Sequence, residues 1–206
     1  MTLKIGVLVS GRGSNLESIM KSVESGMVEE SVVCVVISNR PEAKALEIAR
    51  THGVPAVAID DDGFHSVEHA WKVLQVLKEH GVNPREGLVL LAGYMKILPR
   101  SFVDLYAGRM MNIHPSLLPS FPGRDAQRQA LSHGVKVSGC TVHFVVPEVD
   151  AGPIIVQRAV EVKEGDDEES LSSRILVEEH EIYPEAVSLF ARGKLTIEGR
   201  RVIVSK

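Results

Sequence analysis

The chain has 206 residues, of which 44% are hydrophobic and 24% charged, with a formal net charge of −4. This composition is typical of one globular domain with a sizeable core, and the slightly acidic balance provides no broad positive surface for nucleic acid or an anionic membrane. The apolar run at the N-terminus stops at Ser10, and no other stretch approaches the roughly 20 apolar residues of a spanning helix, so we expect no signal peptide and no membrane segment.

The first half of the chain alternates short apolar runs with amphipathic segments. We predict strands at residues 4–10, 32–38, 57–59 and 88–91. Helices are predicted at 15–25, at 42–52 and from Phe64 to about His80. Apolar strands interleaved with helices indicate a mostly parallel sheet covered by helices on both faces. The predicted fold class is therefore α/β, doubly wound.

The second half has longer predicted elements. We predict a strand at 110–114, a loop at 115–123, a short helix at 126–133, and strands at 136–145 and 154–162. A long helix from Asp167 to about Arg192 follows, with an acidic first turn as the helix dipole prefers. A C-terminal hairpin is predicted from 195–197 and 201–204. Because no linker or repeat interrupts the pattern, we expect a single domain over residues 1–206.

The two cysteines, Cys34 and Cys140, both lie in apolar strand segments. We expect buried thiols in a reducing cytoplasm, and one disulfide between them is the alternative. Ser14 and Ser116 lack the context of a nucleophile elbow, and the histidines show no metal-binding spacing. The sequence therefore predicts neither a covalent nucleophile nor a metal site.

The first candidate site is the glycine-rich turn from Ser10 to Asn15, which follows a strand and opens a helix. Its backbone N–H groups and the positive end of the helix favour an anion such as phosphate. The turn matches neither the Walker loop nor the dinucleotide fingerprint. The alternative is a tight turn in which Ser14 or Asn15 caps the helix.

The second candidate site is the pair Asn112 and His114, which lie two positions apart on one strand and so point to the same side. Pro115 biases His114 towards an extended backbone, as at the end of a strand, where open α/β sheets bind their ligands. An amide beside an imidazole can stabilise an oxyanion and move a proton in acyl transfer. The alternative is a structural histidine beside a proline-rich loop.

The third candidate is Asp150, which is followed by Ala151, Gly152 and Pro153 in a tight loop between two strands. Such an aspartate either caps its own loop or acts as a carboxylate on a nearby histidine. The sequence alone leaves open whether Asp150 meets His114.

Together these segments resemble the folate-dependent formyltransferases of purine synthesis. Segments 10–15, 91–98, 112–119, 121–123 and 150–153 match the family's motifs in the family's order and cover nearly the whole chain. The combination of 112–119 with 150–153 is specific, whereas the glycine-rich turn alone is not. Pro115 stands where the related formyltetrahydrofolate hydrolases typically have a second histidine. Asp125, Pro147 and Leu176 depart from the family pattern.

The resemblance implies a formyltransferase fold that moves the formyl group of 10-formyltetrahydrofolate to the amine of glycinamide ribonucleotide. Gly13, Ser14 and Asn15 would bind the phosphate, in a phosphate- and ribonucleotide-binding half of about residues 1–100. Glu179, from the other half of the chain, would hold the ribose hydroxyls. The second half, about 101–206, would bind the folate and perform catalysis. The implied folate-binding residues are Met95, Lys96, Ile97, Leu98, Asn112, Val146, Pro147, Glu148, Val149 and Asp150.

The family mechanism is direct transfer without a metal. Asn112 and protonated His114 would hold the oxyanion of a tetrahedral intermediate while Asp150 keeps His114 charged. The alternatives are a hydrolase that releases formate, a formyltransferase for another amino sugar, and a binding module without turnover. We expect small-molecule substrates, no nucleic-acid or membrane partner, a cytoplasmic location, and a monomer or weak homodimer.

Overall fold

The computed structural model describes residues 2–60 and 66–205. Its elements in chain order are β1 (Leu3–Val9), α1 (Ser14–Glu24), β2 (Ser31–Ser38), α2 (Lys44–Thr51), β3 (Ala56–Ala58), α3 (Ser66–Glu79), β4 (Leu88–Leu91), α4 (Arg100–Leu105), β5 (Met110–His114), α5 (Ala126–Ser132), β6 (Val137–Phe144), β7 (Ile154–Glu161), α6 (Glu168–Ala191), β8 (Leu195–Glu198) and β9 (Arg201–Val204).

All the described strands form one sheet in the order β3-β2-β1-β4-β5-β6-β7-β9-β8. Strands β1 to β5 are parallel, whereas β6 runs antiparallel to both β5 and β7. The C-terminal hairpin joins the sheet where Ile154 of β7 pairs with Arg201 of β9. The predicted mostly parallel α/β sheet with a long helix and a C-terminal hairpin is confirmed.

The chain order reverses between β1 and β4. From β1 the sheet grows through β2 to β3 on one side, and then β4 and β5 are added on the other side. Loops that leave the carboxyl ends of two such strands diverge to opposite faces and open a crevice, which is where open α/β sheets bind ligands. The glycine-rich turn follows β1 and the 92–99 loop follows β4, so both flank this crevice.

Each face of the sheet is covered by its own apolar core. On one face Ile5 and Val7 pack with residues of α1, α2 and α6. On the other face Leu8 packs with residues of α3 and α4, including Leu77 and Phe102. Because both faces are covered, the central strands are apolar at nearly every position, as the sequence pattern indicated.

The boundaries of the predicted elements lie within two residues of the observed ones wherever the structure describes both ends. The short helix α4 was not predicted, because six residues give too little periodicity to recognise. The predicted helix start at Phe64 lies outside the described residues. Both cysteines are free thiols, so the disulfide alternative is wrong, and Cys34 is half-buried rather than buried as expected.

The long helix α6 has a strong start and an internal proline. Asp167 accepts a hydrogen bond from the Ser170 N–H at 2.8 Å, and the Ser170 hydroxyl accepts one from the Asp167 N–H at 3.1 Å, which forms a reciprocal cap. Pro184 lies inside the helix and cannot donate to the carbonyl of His180. Ser18 of α1 donates its hydroxyl to that carbonyl at 2.7 Å, so the helix continues with the carbonyl satisfied.

In the parts of the chain that the structure describes, no helix combines the length and apolar character needed to cross a membrane.

Candidate active site

Gly13 occupies the N-cap position of α1 in a left-handed conformation, with φ of 83°. The interpretation that Ser14 or Asn15 caps the helix is wrong, because the helix already begins at Ser14 and no side chain bonds to its first turn. A Cβ on Gly13 would lie 2.7 Å from the Cα of Ala45 and 3.1 Å from Ile48 Cδ1. Glycine is therefore required both by its φ and by the close approach of α2. Because no side chain among the described residues caps α1, the first N–H groups of the helix are open to a ligand.

Asn15 and Glu179 meet across the α1–α6 interface. The Asn15 side-chain amide donates to Glu179 Oε2 at 2.8 Å, and Glu179 is only 6% exposed. Burial raises the pKa of Glu179, against the opposing effects of Asn15 and the nearby Arg12 charge. The structure thus brings together two residues predicted for the same substrate, one from each half of the chain.

Glu179 lies near the carboxyl edge of the sheet. One turn further along α6, the Tyr183 hydroxyl lies 3.0 Å from the Leu91 carbonyl oxygen and 3.1 Å from that of Met111, which fixes the helix against β4 and β5. Glu179 also contributes to the raised pKa of Cys140, which burial chiefly causes. Cys140 stands next to Thr141, the residue paired with His114. Asn15 and Glu179 therefore lie along the same sheet edge as the end of β5.

His114 ends β5 and is 5% exposed. Its Nε2 donates to the Phe121 carbonyl oxygen at 2.8 Å, and its Nδ1 lies 3.3 Å from Asp150 Oδ2. The structure therefore answers the question that the sequence left open, since Asp150 does meet His114. Two acceptors, one on each ring nitrogen, favour the doubly protonated imidazolium.

Burial opposes that charge. It lowers the pKa of His114 by more than Asp150 and the Phe121 carbonyl raise it, so the pKa lies below its ordinary value. Asp150 thus acts in the predicted direction, but the effect of burial on the pKa of His114 is larger. A developing negative charge beside the ring would shift this balance towards the imidazolium.

Asp150 is held in place from several directions. Its Oδ2 accepts a hydrogen bond from the Gly123 N–H at 2.8 Å, and its backbone is left-handed with φ of 50°. Burial raises the pKa of Asp150, but His143, the Gly123 N–H and the charge of His114 together outweigh it, so the pKa lies below its usual range. Asp150 is therefore an ionised carboxylate at neutral pH.

His143 was missed by the sequence analysis, which counted it only among histidines without metal spacing. Strand register pairs it with Asn112, and it is 2% exposed. Its Nδ1 donates to the Phe144 carbonyl oxygen at 2.9 Å, and its Nε2 lies 3.2 Å from Asn112 Nδ2 and 3.6 Å from Asp150 Oδ1. Asn112 Nδ2 also lies 3.5 Å from Asp150 Oδ1. The sequence signal was the position of His143 within the β6 segment, where side chains alternate between the two faces of the sheet. That signal could identify a partner of Asn112 only once the β5–β6 register was known.

Two segments predicted to border the folate lie on either side of this cluster. In the first, Met95 and Ile97 are 55% and 71% exposed, Lys96 is half-buried, and Leu98 packs into the core at 8% exposure. Because the side chain of Leu98 is buried, this residue could contact a ligand only through its backbone. The second segment runs from Val146 through Pro147, Glu148 and Val149 to Asp150, and its Glu148 pairs with Arg100 at 2.8 Å.

The described residues offer no activated thiol and no metal cluster. Burial raises the pKa of Cys140 to about 12, so that thiol is protonated at neutral pH. Within residues 2–60 and 66–205, no three His, Cys, Asp or Glu side chains are grouped so as to hold a metal ion. At the carboxyl edge, Asn112, His114 and Asp150 supply groups for hydrogen bonding and proton transfer.

The fold and these side chains define an α/β enzyme with a glycine-rich turn at the start of α1 and an imidazole–carboxylate pair at the carboxyl edge of its sheet. A family model described as formyl transferase matches residues 3–187. The chain therefore belongs to the formyl transferase family.

Individual relatives agree with this assignment. The phosphoribosylglycinamide formyltransferase of Escherichia coli is 41% identical over 193 residues, which cover 94% of this chain and 89% of the relative. The crystal structure of glycinamide ribonucleotide transformylase 1 from Symbiobacterium toebii superposes with a TM-score of 0.94 at 50% identity, over 100% of this chain and 95% of that one. The trifunctional purine biosynthetic protein adenosine-3 of Gallus gallus is 43% identical over 196 residues, or 95% of this chain, but this chain spans only 19% of its length.

Proposed function

We propose that this chain transfers the formyl group of 10-formyltetrahydrofolate to the amine of glycinamide ribonucleotide, in the cytoplasm. The observation that carries the proposal is the meeting of Asn112, His114 and Asp150 at the end of β5, where His114 Nδ1 lies 3.3 Å from Asp150 Oδ2. The names of full-length relatives support the choice of both substrates.

The amine attacks the formyl carbon, and the carbonyl electron pair moves onto oxygen to give a tetrahedral oxyanion. The Asn112 amide and the His114 imidazolium stabilise that oxyanion. The amine proton leaves with the help of Asp150, the bond between the formyl carbon and the folate nitrogen breaks, and the folate nitrogen takes up a proton. The oxyanion favours the charged form of His114, which burial disfavours in the unliganded site.

The binding site for the formyl acceptor, the ribonucleotide, distinguishes a transferase from a hydrolase. In this proposal the turn at Gly13, Ser14 and Asn15 binds the phosphate of the ribonucleotide, and Glu179 accepts hydrogen bonds from its ribose hydroxyls. The hydrogen bond from Asn15 to Glu179 at 2.8 Å supports one continuous site for phosphate and sugar. A hydrolase that delivers the formyl group to water does not require such a site.

The test is turnover of 10-formyltetrahydrofolate with and without glycinamide ribonucleotide, with the N-formyl product and formate measured separately. We expect formyl product in a one-to-one ratio with tetrahydrofolate, and little formate when the ribonucleotide is absent. Equal formate release with and without the ribonucleotide would establish the hydrolase instead. Transfer to another amino sugar at a higher kcat/KM would replace the proposed acceptor.

A further inference from the structure

Ser10 joins the ends of three neighbouring strands through one buried hydroxyl. The residue follows β1 directly and is 3% exposed. Its Oγ donates to Asn39 Oδ1, just after β2, at 2.5 Å and accepts from the Met95 N–H, in the loop after β4, at 2.8 Å. The hydroxyl therefore spans the point between β1 and β4 where the strand order reverses.

The direction of these two bonds is fixed by the chemistry of a hydroxyl. Serine carries one hydroxyl hydrogen, and Asn39 Oδ1 can only accept, so the hydrogen is given to Asn39. The oxygen lone pairs of Ser10 then face the Met95 N–H. In a buried chain of this kind each bond polarises the next, so we expect removal of the Asn39 acceptor to weaken the hydrogen bond from the Met95 N–H to Ser10.

Ser10 also belongs to the turn that runs to Asn15. One residue is thus a covalent part of the proposed ribonucleotide-binding turn and a hydrogen-bond partner of the proposed folate-binding loop, residues 92–98. A shift of either loop acts directly on the other through Ser10. Transfer reactions are sensitive to such shifts, because a misplacement of about 1 Å can cost roughly a hundredfold in rate.

We propose that Ser10 is a positioning residue that holds the 92–98 loop in register with the 10–15 turn, so that occupation of one loop by its substrate orders the other. This inference rests on the proposed function, since that function assigns the two loops to different substrates. Ser10 itself acts through the backbone of Met95 and touches no reacting atom in this arrangement.

The first test is amide hydrogen exchange of the 92–98 loop, with glycinamide ribonucleotide as the only ligand. In the wild-type chain we expect the ribonucleotide to slow exchange in this loop. In Ser10→Ala we expect exchange at Met95 to be about tenfold faster, as for the loss of one buried hydrogen bond, and to be insensitive to the ribonucleotide.

The second test is steady-state kinetics on the same proteins. For Ser10→Ala we expect kcat to fall about tenfold and the KM for 10-formyltetrahydrofolate to rise several-fold, while the dissociation constant of the ribonucleotide stays within about twofold. A merely destabilised protein would not produce this division between the two substrates.

Ser188→Ala is the matched control, because Ser188 is 5% exposed and its hydroxyl donates to the Met27 carbonyl oxygen at 3.0 Å, between α6 and the turn after α1. Ser188→Ala should lose about as much stability as Ser10→Ala without a change in amide exchange at 92–98.

Asn39→Ala is the second test variant. It leaves Ser10 in place but removes the acceptor of the Ser10 hydroxyl, and it should show the same changes as Ser10→Ala more weakly.

Three outcomes would overturn the role of Ser10. The first is a Ser10→Ala chain whose amide exchange at 92–98 equals that of the wild type. The second is a Ser188→Ala chain with the same changes in exchange and kinetics as Ser10→Ala. The third applies if Ser10→Ala fails to fold, and is an Asn39→Ala chain with unchanged exchange and kinetics. A wild-type chain that forms no N-formyl product would refute the proposed function instead, and the exchange measurement would still decide whether Ser10 couples the two loops.

Discussion

Glu179 accepts a hydrogen bond from Asn15 although 164 positions separate the two residues. Its neighbour Glu178 lies in the opposite environment, with a side chain 35% exposed and an oxygen 3.7 Å from Arg158 Nε. Burial raises the pKa of Glu179. The two consecutive glutamates therefore form a natural pair of variant and control, one buried beside Asn15 and one half-exposed beside Arg158.

Glu179→Gln should raise the KM for glycinamide ribonucleotide by about ten- to a hundredfold, as expected for the loss of hydrogen bonds to a charged group. The KM for 10-formyltetrahydrofolate should change less than about threefold, because the folate is assigned to other loops. Glu178→Gln should leave both constants close to wild type. Steady-state kinetics with each substrate varied in turn checks this, and equal effects in the two variants would remove Glu179 from the acceptor site.

The same Glu179→Gln chain should be more stable than wild type at neutral pH. The pKa of Glu179 is raised by burial, so the folded chain binds more protons than the unfolded chain as the pH rises through the ordinary glutamate value of about 4.5. Ionisation of Glu179 therefore costs stability above that pH. Urea unfolding at pH 5 and pH 7.5 should show a smaller decrease of stability with pH in Glu179→Gln; an identical decrease would contradict the assigned burial effect.

Gly13→Ala should destabilise the chain by about 1–3 kcal/mol, because its φ is 83° and its Cβ would lie 2.7 Å from Ala45 Cα. Gly11→Ala is the control in the same turn, since a Cβ there meets nothing within 4 Å. Denaturant unfolding of both variants measures the difference. Equal stabilities would mean that α2 moves aside at little cost.

Ser18→Ala should destabilise the chain by about 1 kcal/mol, as for the loss of one intramolecular hydrogen bond at a half-buried carbonyl. Ser18 donates to the His180 carbonyl at 2.7 Å, which Pro184 deprives of its usual helical partner. Ser22→Ala is the control, because the Ser22 hydroxyl bonds to the Ser18 carbonyl within its own helix. Urea unfolding compares the two variants, and a Ser18→Ala chain as stable as Ser22→Ala would show that Ser18 does not compensate for Pro184.

Local patterns predicted the fold closely, whereas the site depended on contacts between distant segments. Apolar runs and helical periodicity gave the parallel sheet, and the acidic start at Asp167 gave the beginning of α6. The alternative that Ser14 or Asn15 caps α1 was wrong, because Gly13 occupies the N-cap position and is held there by the approach of α2, which no local pattern records. His143 was missed because only the β5–β6 register places it beside Asn112. The meeting of Asp150 with His114 was left open for the same reason.

The remaining prediction concerns the joint action of His114 and Asp150. Asp150 raises the pKa of His114, although burial lowers that pKa by a larger amount. Asp150→Asn keeps the shape of the side chain and removes the charge, so the pKa of His114 should be lower in this variant than in the wild type. Because the imidazolium is the proposed acid, less of the active form remains at each pH, and activity is lost first at high pH, where the unassisted ring is neutral. His114→Ala should lower kcat by at least about a hundredfold without unfolding the chain.

Since the two residues act as one unit in this proposal, their effects should not add. The double variant His114→Ala with Asp150→Asn should be little worse than the more damaged single variant. Asp125→Asn is the control, because Asp125 has a similar left-handed φ of 56° but pairs with Arg128 at the surface, and asparagine tolerates that conformation. The measurement is kcat/KM against pH for wild type, both single variants, the double variant and Asp125→Asn, together with the NMR titration of the His114 ring. Multiplicative losses, with an unshifted profile and an unchanged His114 titration in Asp150→Asn, would reduce Asp150 to a carboxylate that only accepts from Gly123 and shapes its loop.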